Sequence, residues 1–276
     1  MEMSRLITIQ GSARGGKGTL TRAFATHLQQ NYSVQVIDQG LKFRVLARLA
    51  LEAQIDIENL SHLEKFITRP STHQEMLAML TNAYTLTKDQ LEAEFYTIAI
   101  NNASGMCGKI TATHDVVVSV LLDEVKELAQ THDFILIDGR ALQKYAEQLA
   151  NDGVVDYILA VDVVCSPMTA AKRMMGLASN AAIEDLTSDQ KTQLLYLIND
   201  IDRRNSSDAR RSRDPSLPIA DAYIFDVLHE RTKRELRDVA AEVAKTRTVM
   251  VDNSFTRTKE QLTAPCIELL DAIITS

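Results

Sequence analysis

The chain has 276 residues, a net charge of −7, an apolar fraction of 45% and a charged fraction of 24%. This is the balance of an ordinary globular protein, long enough for one large domain carrying an insertion, and its acidity argues against a protein that coats nucleic acid. No stretch reaches the roughly 20 apolar residues of a membrane helix. The N-terminal residues carry no apolar signal segment, and Cys107, Cys165 and Cys266 are too widely spaced for a CxxC pair or a disulfide framework, so a reducing cytoplasm is the expected location.

In chain order, RLITIQ (5–10) reads as a short apolar strand ending at glycine. KGTLTRAFATHLQQ (17–30) follows as a helix, with Leu20, Phe24 and Leu28 on one face. VQVID (34–38) is a second strand and LKFRVLARLALEA (41–53) a second helix. Residues 54–113 lose the strand–helix rhythm and are expected to form an inserted subdomain, with Cys107 in a glycine-rich loop where exposure is open to it. DFILIDG (133–139) is a buried strand and DYILAVDV (156–163) another. Pro167 suits the first turn of the helix after it. Residues 176–214 are polar and arginine-rich, as a mobile helical flap would be. A charged helical stretch covers 228–247, TVMVD (248–252) is the last strand, and 258–274 is the last helix. Strands alternating with helices predict an α/β fold with a parallel five-stranded sheet flanked by helices. The six histidines show no metal-ligand spacing and are expected on the surface or in loops.

Four of the ten glycines stand between residues 11 and 18, in GSARGGKGT. Gly11, Gly16, Lys17 and Thr19 fit G-x-x-x-x-G-K-[ST] with Gly18 inserted before the hydroxyl. The strand before and the helix after are the context this loop requires. Phosphate oxygens need several N–H groups aimed at one point. Glycine lets the backbone curl around them, and the helix amino end adds unpaired donors and partial positive charge. The loop residues Gly11, Ser12, Ala13, Arg14, Gly15, Gly16, Lys17, Gly18 and Thr19 are therefore the expected ATP-phosphate cradle. Lys17 would bridge the β and γ phosphates, and Thr19 would ligate Mg²⁺. Arg14 at the crown either reaches a phosphate or points to solvent. Asp138 ends a buried strand at the sheet edge where such folds bind ligands; it either holds Mg²⁺ through water or caps a helix. Arg203, Arg204, Arg210, Arg211 and Arg213 crowd eleven residues of an acidic chain. On a closing flap they would neutralise a transferring phosphoryl group.

GKGT, DQGLKFRVLARLAL, LIDGRA, ILAVDVVCSPMTAAKRMMG, RNSSDARRSRDPSLPIADAYIFD and VMVDNSFTRTKEQL together resemble, in order, segments of the cytidylate kinases, a family of P-loop nucleoside monophosphate kinases. The resemblance implies one P-loop kinase domain over 1–276. Its core would take about 1–53, 114–175 and 215–276, its acceptor-binding insertion about 54–113, and its helical lid about 176–214. It further implies phosphorylation of a nucleoside monophosphate, CMP or dCMP, by ATP with Mg²⁺, in a cytoplasmic monomer whose partner is a small-molecule nucleotide and neither nucleic acid nor membrane. Lys17, Arg173, Arg204 and Arg211 would be catalytic. Gln39, Arg44, Arg140, Arg204, Asp208 and Arg211 would meet the acceptor, and Thr19 and Asp138 the metal. Arg173 has the alternative of an ordinary helix charge. Gln39 stands where the family has serine, Ala141 where it has aspartate, and Thr111 where it has arginine. These departures keep open a P-loop kinase for another small acceptor, and an ATP-binding switch without transfer is the third alternative.

Overall fold

The computed structural model describes residues 3–210 and 221–275. The elements run β1 (Arg5–Gly11), α1 (Lys17–Leu28), β2 (Val34–Asp38), α2 (Gln39–Glu52), α3 (Leu60–Ile67), α4 (Pro70–Ala83), α5 (Lys88–Phe95), α6 (Ile98–Cys107) and α7 (Thr111–Leu128). There follow β3 (Phe134–Asp138), α8 (Gln143–Asn151), β4 (Asp156–Val164), α9 (Pro167–Met174), α10 (Ser188–Ala209), β5 (Tyr223–Phe225), α11 (Lys233–Thr246), β6 (Thr248–Asp252) and α12 (Lys259–Ile274). Hydroxyls at N-caps start many of these helices. Thr87, Thr187 and Thr232 form full capping boxes with Gln90, Gln190 and Glu235.

The chain divides into two compact units. The first joins Met1–Ile37 to Leu128–Ser276, and the second is Asp38–Glu127. The first is built on a six-stranded sheet of order β2-β3-β1-β4-β6-β5. β1 runs parallel to β3 and β4, and β6 runs parallel to β4 and β5. A central parallel strand is covered on both faces, so its residues must be apolar nearly throughout or satisfied internally. In β1 Leu6, Ile7 and Ile9 are fully buried, and buried Thr8 shares a 2.9 Å hydrogen bond with the Tyr157 hydroxyl.

The expected five strands become six. The added one, Tyr-Ile-Phe at 223–225, is too short to display any alternation. It is joined to β6 through α11. The charged stretch at 228–247 is an amphipathic crossover helix that buries Leu236, Val239, Ala240 and Val243 in the main core. A crossover of this kind joins two parallel strands, and here they are neighbours, Tyr223 in register with Val249 and Phe225 with Val251.

The second unit is helical in all its described elements. Leu41, Val45, Leu46, Leu49, Leu63, Phe66, Met76, Leu80, Phe95, Ile100 and Val117 pack in its core. Two expectations are corrected here. Cys107 is not in an exposed loop but ends α6 fully buried, and burial pushes its thiol pKa up to about 12. His114 is likewise buried. One ring nitrogen shares a 3.0 Å hydrogen bond with the Gly108 carbonyl, and the ring meets Phe43 edge-on. Cys165 and Cys266, in the first unit, are also buried with raised thiol pKa values, burial taking that of Cys266 to about 12. No helix among the described residues is long and apolar enough to cross a membrane.

Candidate active site

The loop between β1 and α1 is shaped by contacts that exclude side chains. Gly11 has φ +130°, and a Cβ there would lie 2.1 Å from the Val163 carbonyl oxygen of the neighbouring strand. Only glycine lets the chain leave β1 so close to β4. Gly16, the residue before α1, has φ +107°, and a Cβ there would meet the Asn253 amide at 2.5 Å. The far side of the loop is tied down by polar side chains. Asn253 donates to Gly15 O at 2.7 Å, and the Cys165 amide donates to Ser12 Oγ at 3.0 Å. The Ala13 amide donates to Asn205 Oδ1, on α10, at 2.8 Å. Arg14, at the crown, is exposed with φ 59°.

Lys17 opens α1 and turns its ammonium back over the loop, donating to Ser12 O at 2.9 Å and Gly11 O at 3.2 Å. Burial, followed by the positive charge of Arg140, lowers its pKa to about 8. Asp138 and Asp162 pull the other way, and Arg204 adds to the lowering. Arg140, Asp138, Asp162 and Arg204 thus converge on the lysine. The sheet explains why. Ile9 of β1 is in register with Asp138 and Gln10 with Asp162, so both carboxylates flank the point where β1 gives way to the loop.

The Asp138 carboxylate accepts a 3.4 Å hydrogen bond from the Thr21 hydroxyl. It does not cap the next helix, whose N-cap is Leu142. Thr19 is partly exposed on the first turn of α1. A Mg²⁺ ion prefers oxygen donors, and triphosphate complexes supply part of its shell themselves. The Thr19 hydroxyl and the Asp138 carboxylate are oxygen donors of the kind this chemistry takes, although the hydroxyl in contact with Asp138 is that of Thr21.

Arg140 and Asp208 are brought together as an ion pair, with little exposure of either side chain. Arg204 lies one turn earlier on α10 than Asp208 and is exposed, and Arg203 beside it pairs with Asp200 at 2.7 Å. Arg211 lies outside the described residues. Arg173, at the end of α9, is held by the loop after β6. It donates to Asn253 O at 2.7 Å, Thr256 O at 2.8 Å and Thr256 Oγ1 at 2.9 Å. Ala141, after Arg140, sits in the left-handed region with φ 52°, and the next amide, of Leu142, donates to Gln10 Oε1 at 3.1 Å.

In the second unit, Gln39 is buried at the first turn of α2. Asp38 caps that helix by accepting from the Gly40 amide at 2.7 Å and also accepts from the Tyr96 hydroxyl at 2.7 Å. The Arg44 guanidinium lies 4.1 Å over the Tyr96 ring, and its Nε donates to Asn101 Oδ1 at 3.3 Å. Thr111 begins α7 and is exposed.

Several residues of this arrangement escape linear reading. Asp162 leaves one signal, a lone carboxylate inside the apolar run LAVDV. Asn205, Asn253, Tyr96 and Asn101 leave none, because their partners lie far along the chain or across a helix start.

Comparison with known proteins accords with this geometry. The family model described as cytidylate kinase matches residues 7–248. The cytidylate kinase of Mesorhizobium japonicum is 24% identical over 220 residues, covering 80% of this chain and 85% of that protein. The cytidylate kinase of Clostridioides difficile is 24% identical over 238 residues, covering 86% and 97%. That of Brucella suis is 25% identical over 224 residues, covering 80% and 84%. With a phosphate loop on a parallel sheet and a family match over most of its length, the chain belongs to the cytidylate kinase family and is a nucleoside monophosphate kinase, a transferase.

Proposed function

We propose that this enzyme transfers the γ-phosphoryl group of ATP to CMP or dCMP. The observation that carries the reading is the match of residues 7–248 to the cytidylate kinase model. The loop geometry around Lys17 supports it. In the proposed complex the amides of residues 11–19 and the Lys17 ammonium bind the donor phosphates. Lys17 leaves the Ser12 and Gly11 carbonyls for the more negative phosphate oxygens. Thr19 and Asp138 would hold Mg²⁺, which would supply positive charge to the transferring phosphoryl group.

Arg44 and Gln39 hold the acceptor phosphate. Arg204 and Arg211 come in with the lid, and Asp208 orients Arg140 or the acceptor nucleotide. No side-chain nucleophile is needed, because an oxygen of the acceptor's own phosphate attacks. Lid closure excludes competing water. Arg173, bonded to Asn253 and Thr256, holds the loop after β6 in place. The expected setting is the cytoplasm, with the enzyme acting as a monomer on a small nucleotide and without nucleic acid or membrane.

A second reading, a different small acceptor, has a specific basis. Ala141 has no side-chain polar group to offer a nucleotide, and Thr111 and Gln39 replace the arginine and serine of the resembling family. ADP release with ATP and Mg²⁺ across CMP, dCMP, UMP, AMP, GMP and no acceptor tests both. Turnover with CMP or dCMP well above the rest is expected. Turnover confined to another acceptor overturns the cytidylate assignment. Lys17→Ala is expected to lower turnover at least about 100-fold, the scale of losing one charge-stabilising donor. A folded Lys17→Ala protein with unchanged turnover would remove the mechanism.

A further inference from the structure

Arginine carries a long side chain with several free torsions, and its value at a phosphate depends on how far its fork is already aimed. Arg44 is aimed by three elements of the second unit. Tyr96 follows α5 as its C-cap, and its ring lies 4.1 Å beneath the guanidinium carbon. Asn101, in the first turn of α6, takes the Nε proton at 3.3 Å. The plane of the guanidinium and the direction of its inner edge are then both defined, and NH1 and NH2 are left for a bidentate anion.

The support is itself supported. Asn101 Nδ2 donates to the Tyr96 carbonyl at 2.9 Å, so the two residues that touch Arg44 hold each other. The Tyr96 hydroxyl donates to Asp38 Oδ2 at 2.7 Å, while Asp38 Oδ1 accepts the Gly40 amide at 2.7 Å. One carboxylate therefore fixes both the amino end of α2 and the ring under Arg44. Gly40 completes the arrangement. A Cβ there would lie 2.7 Å from Arg44 NH1, so the fork lies against the start of its own helix in room only glycine leaves.

We propose that Tyr96 and Asn101 are positioning residues that set the direction of Arg44 and, through it, the affinity for the acceptor phosphate. This rests on the reading above in which Arg44 meets that phosphate. Tyr96→Ala is expected to raise the acceptor KM about 5- to 30-fold, the range of a lost, partly desolvated cation–π contact, with the ATP KM changed less than about twofold. Tyr96→Phe keeps the ring and should stay within about threefold of the parent. Asn101→Ala, at an exposed position, should raise the acceptor KM about 3- to 10-fold, the scale of one ordinary solvent-exposed hydrogen bond.

The experiment is steady-state kinetics with CMP and ATP varied in turn for these variants, for Arg44→Ala, and for Arg44→Ala combined with Tyr96→Ala. Circular dichroism melts establish that each is folded. The expected result is that Tyr96→Ala adds less than about twofold once Arg44 is gone. If Arg44→Ala leaves the acceptor KM unchanged, the assignment of Arg44 fails and this inference with it. If Arg44→Ala raises it but Asn101→Ala and Tyr96→Ala do not, only the positioning role fails. Full additivity of Tyr96→Ala and Arg44→Ala also overturns it, since that would mean Tyr96 acts independently of the arginine. Should Tyr96→Ala not fold, Asn101→Ala decides by the same criteria.

Discussion

Lys17 is under opposing electrostatic demands. Desolvation and the neighbouring arginines lower the Lys17 pKa to about 8, although Asp138 and Asp162 favour its charge. Below pH 8 the ammonium is present to receive a triphosphate. As pH rises through 8 the nucleotide-free protein loses that proton, and binding ATP must then recapture it. The ATP dissociation constant should therefore be flat from about pH 7 to 7.5 and weaken progressively above pH 8. Isothermal titration at several pH values checks this. Lys17→Arg, whose charge does not titrate in this range, should show no such weakening. Equal weakening in parent and variant would assign the titration to another group.

The elements divide into those that declare themselves in sequence and those that do not. The phosphate loop, α1, β3 and β4 are legible, because each couples a strong apolar period to a turn residue with a steric reason to be there. Gly11 and Gly16 are such residues. Gly105 is not. A Cβ there meets nothing within 4 Å. It lies in the last turn of α6, yet it reads as loop punctuation, which hides the helices within the inserted subdomain expected at 54–113. Gly105→Ala should raise stability by about 1 kcal/mol, the difference in helix propensity, seen as a higher Tm. A drop would mean that the position has a contact the helix hides.

Arg173 illustrates the opposite limit of reading from sequence. Nothing in AAKR distinguishes an arginine aimed at phosphate from one that gathers two carbonyls and a hydroxyl of the loop after β6. Removing it leaves those partly buried acceptors without their donor. Arg173→Ala should cost about 2–3 kcal/mol of stability in a chemical-denaturation series. A large loss of turnover with unchanged stability would support the catalytic role expected of Arg173 instead.

At the level of the molecule, each compact unit has a core of its own, and the second contains an ion pair where its fold would suggest an apolar contact. Lys42 is fully buried in α2, 2.5 Å from the Glu124 carboxylate and 3.2 Å from the Tyr84 hydroxyl it donates to. The burial and Glu124 raise the Tyr84 pKa far above its ordinary value. Lys42→Met alone should cost about 3–5 kcal/mol because it strands a buried carboxylate. Lys42→Met with Glu124→Leu should recover most of that loss in urea unfolding. If the single variant is as stable as the parent, the pair is solvated in solution and contributes little.

The three buried thiols have a use that has nothing to do with phosphoryl transfer. Cys107 lies in the second unit, and Cys165 and Cys266 lie in the first. Their raised pKa values keep them protonated near neutrality, and their burial keeps reagents out. Each becomes chemically visible only when its surroundings open. Incubating the native enzyme with an alkylating reagent and resolving the modified peptides by mass would therefore time the opening of the two units separately. The chain thus carries, without any engineered label, an internal clock in each of its cores.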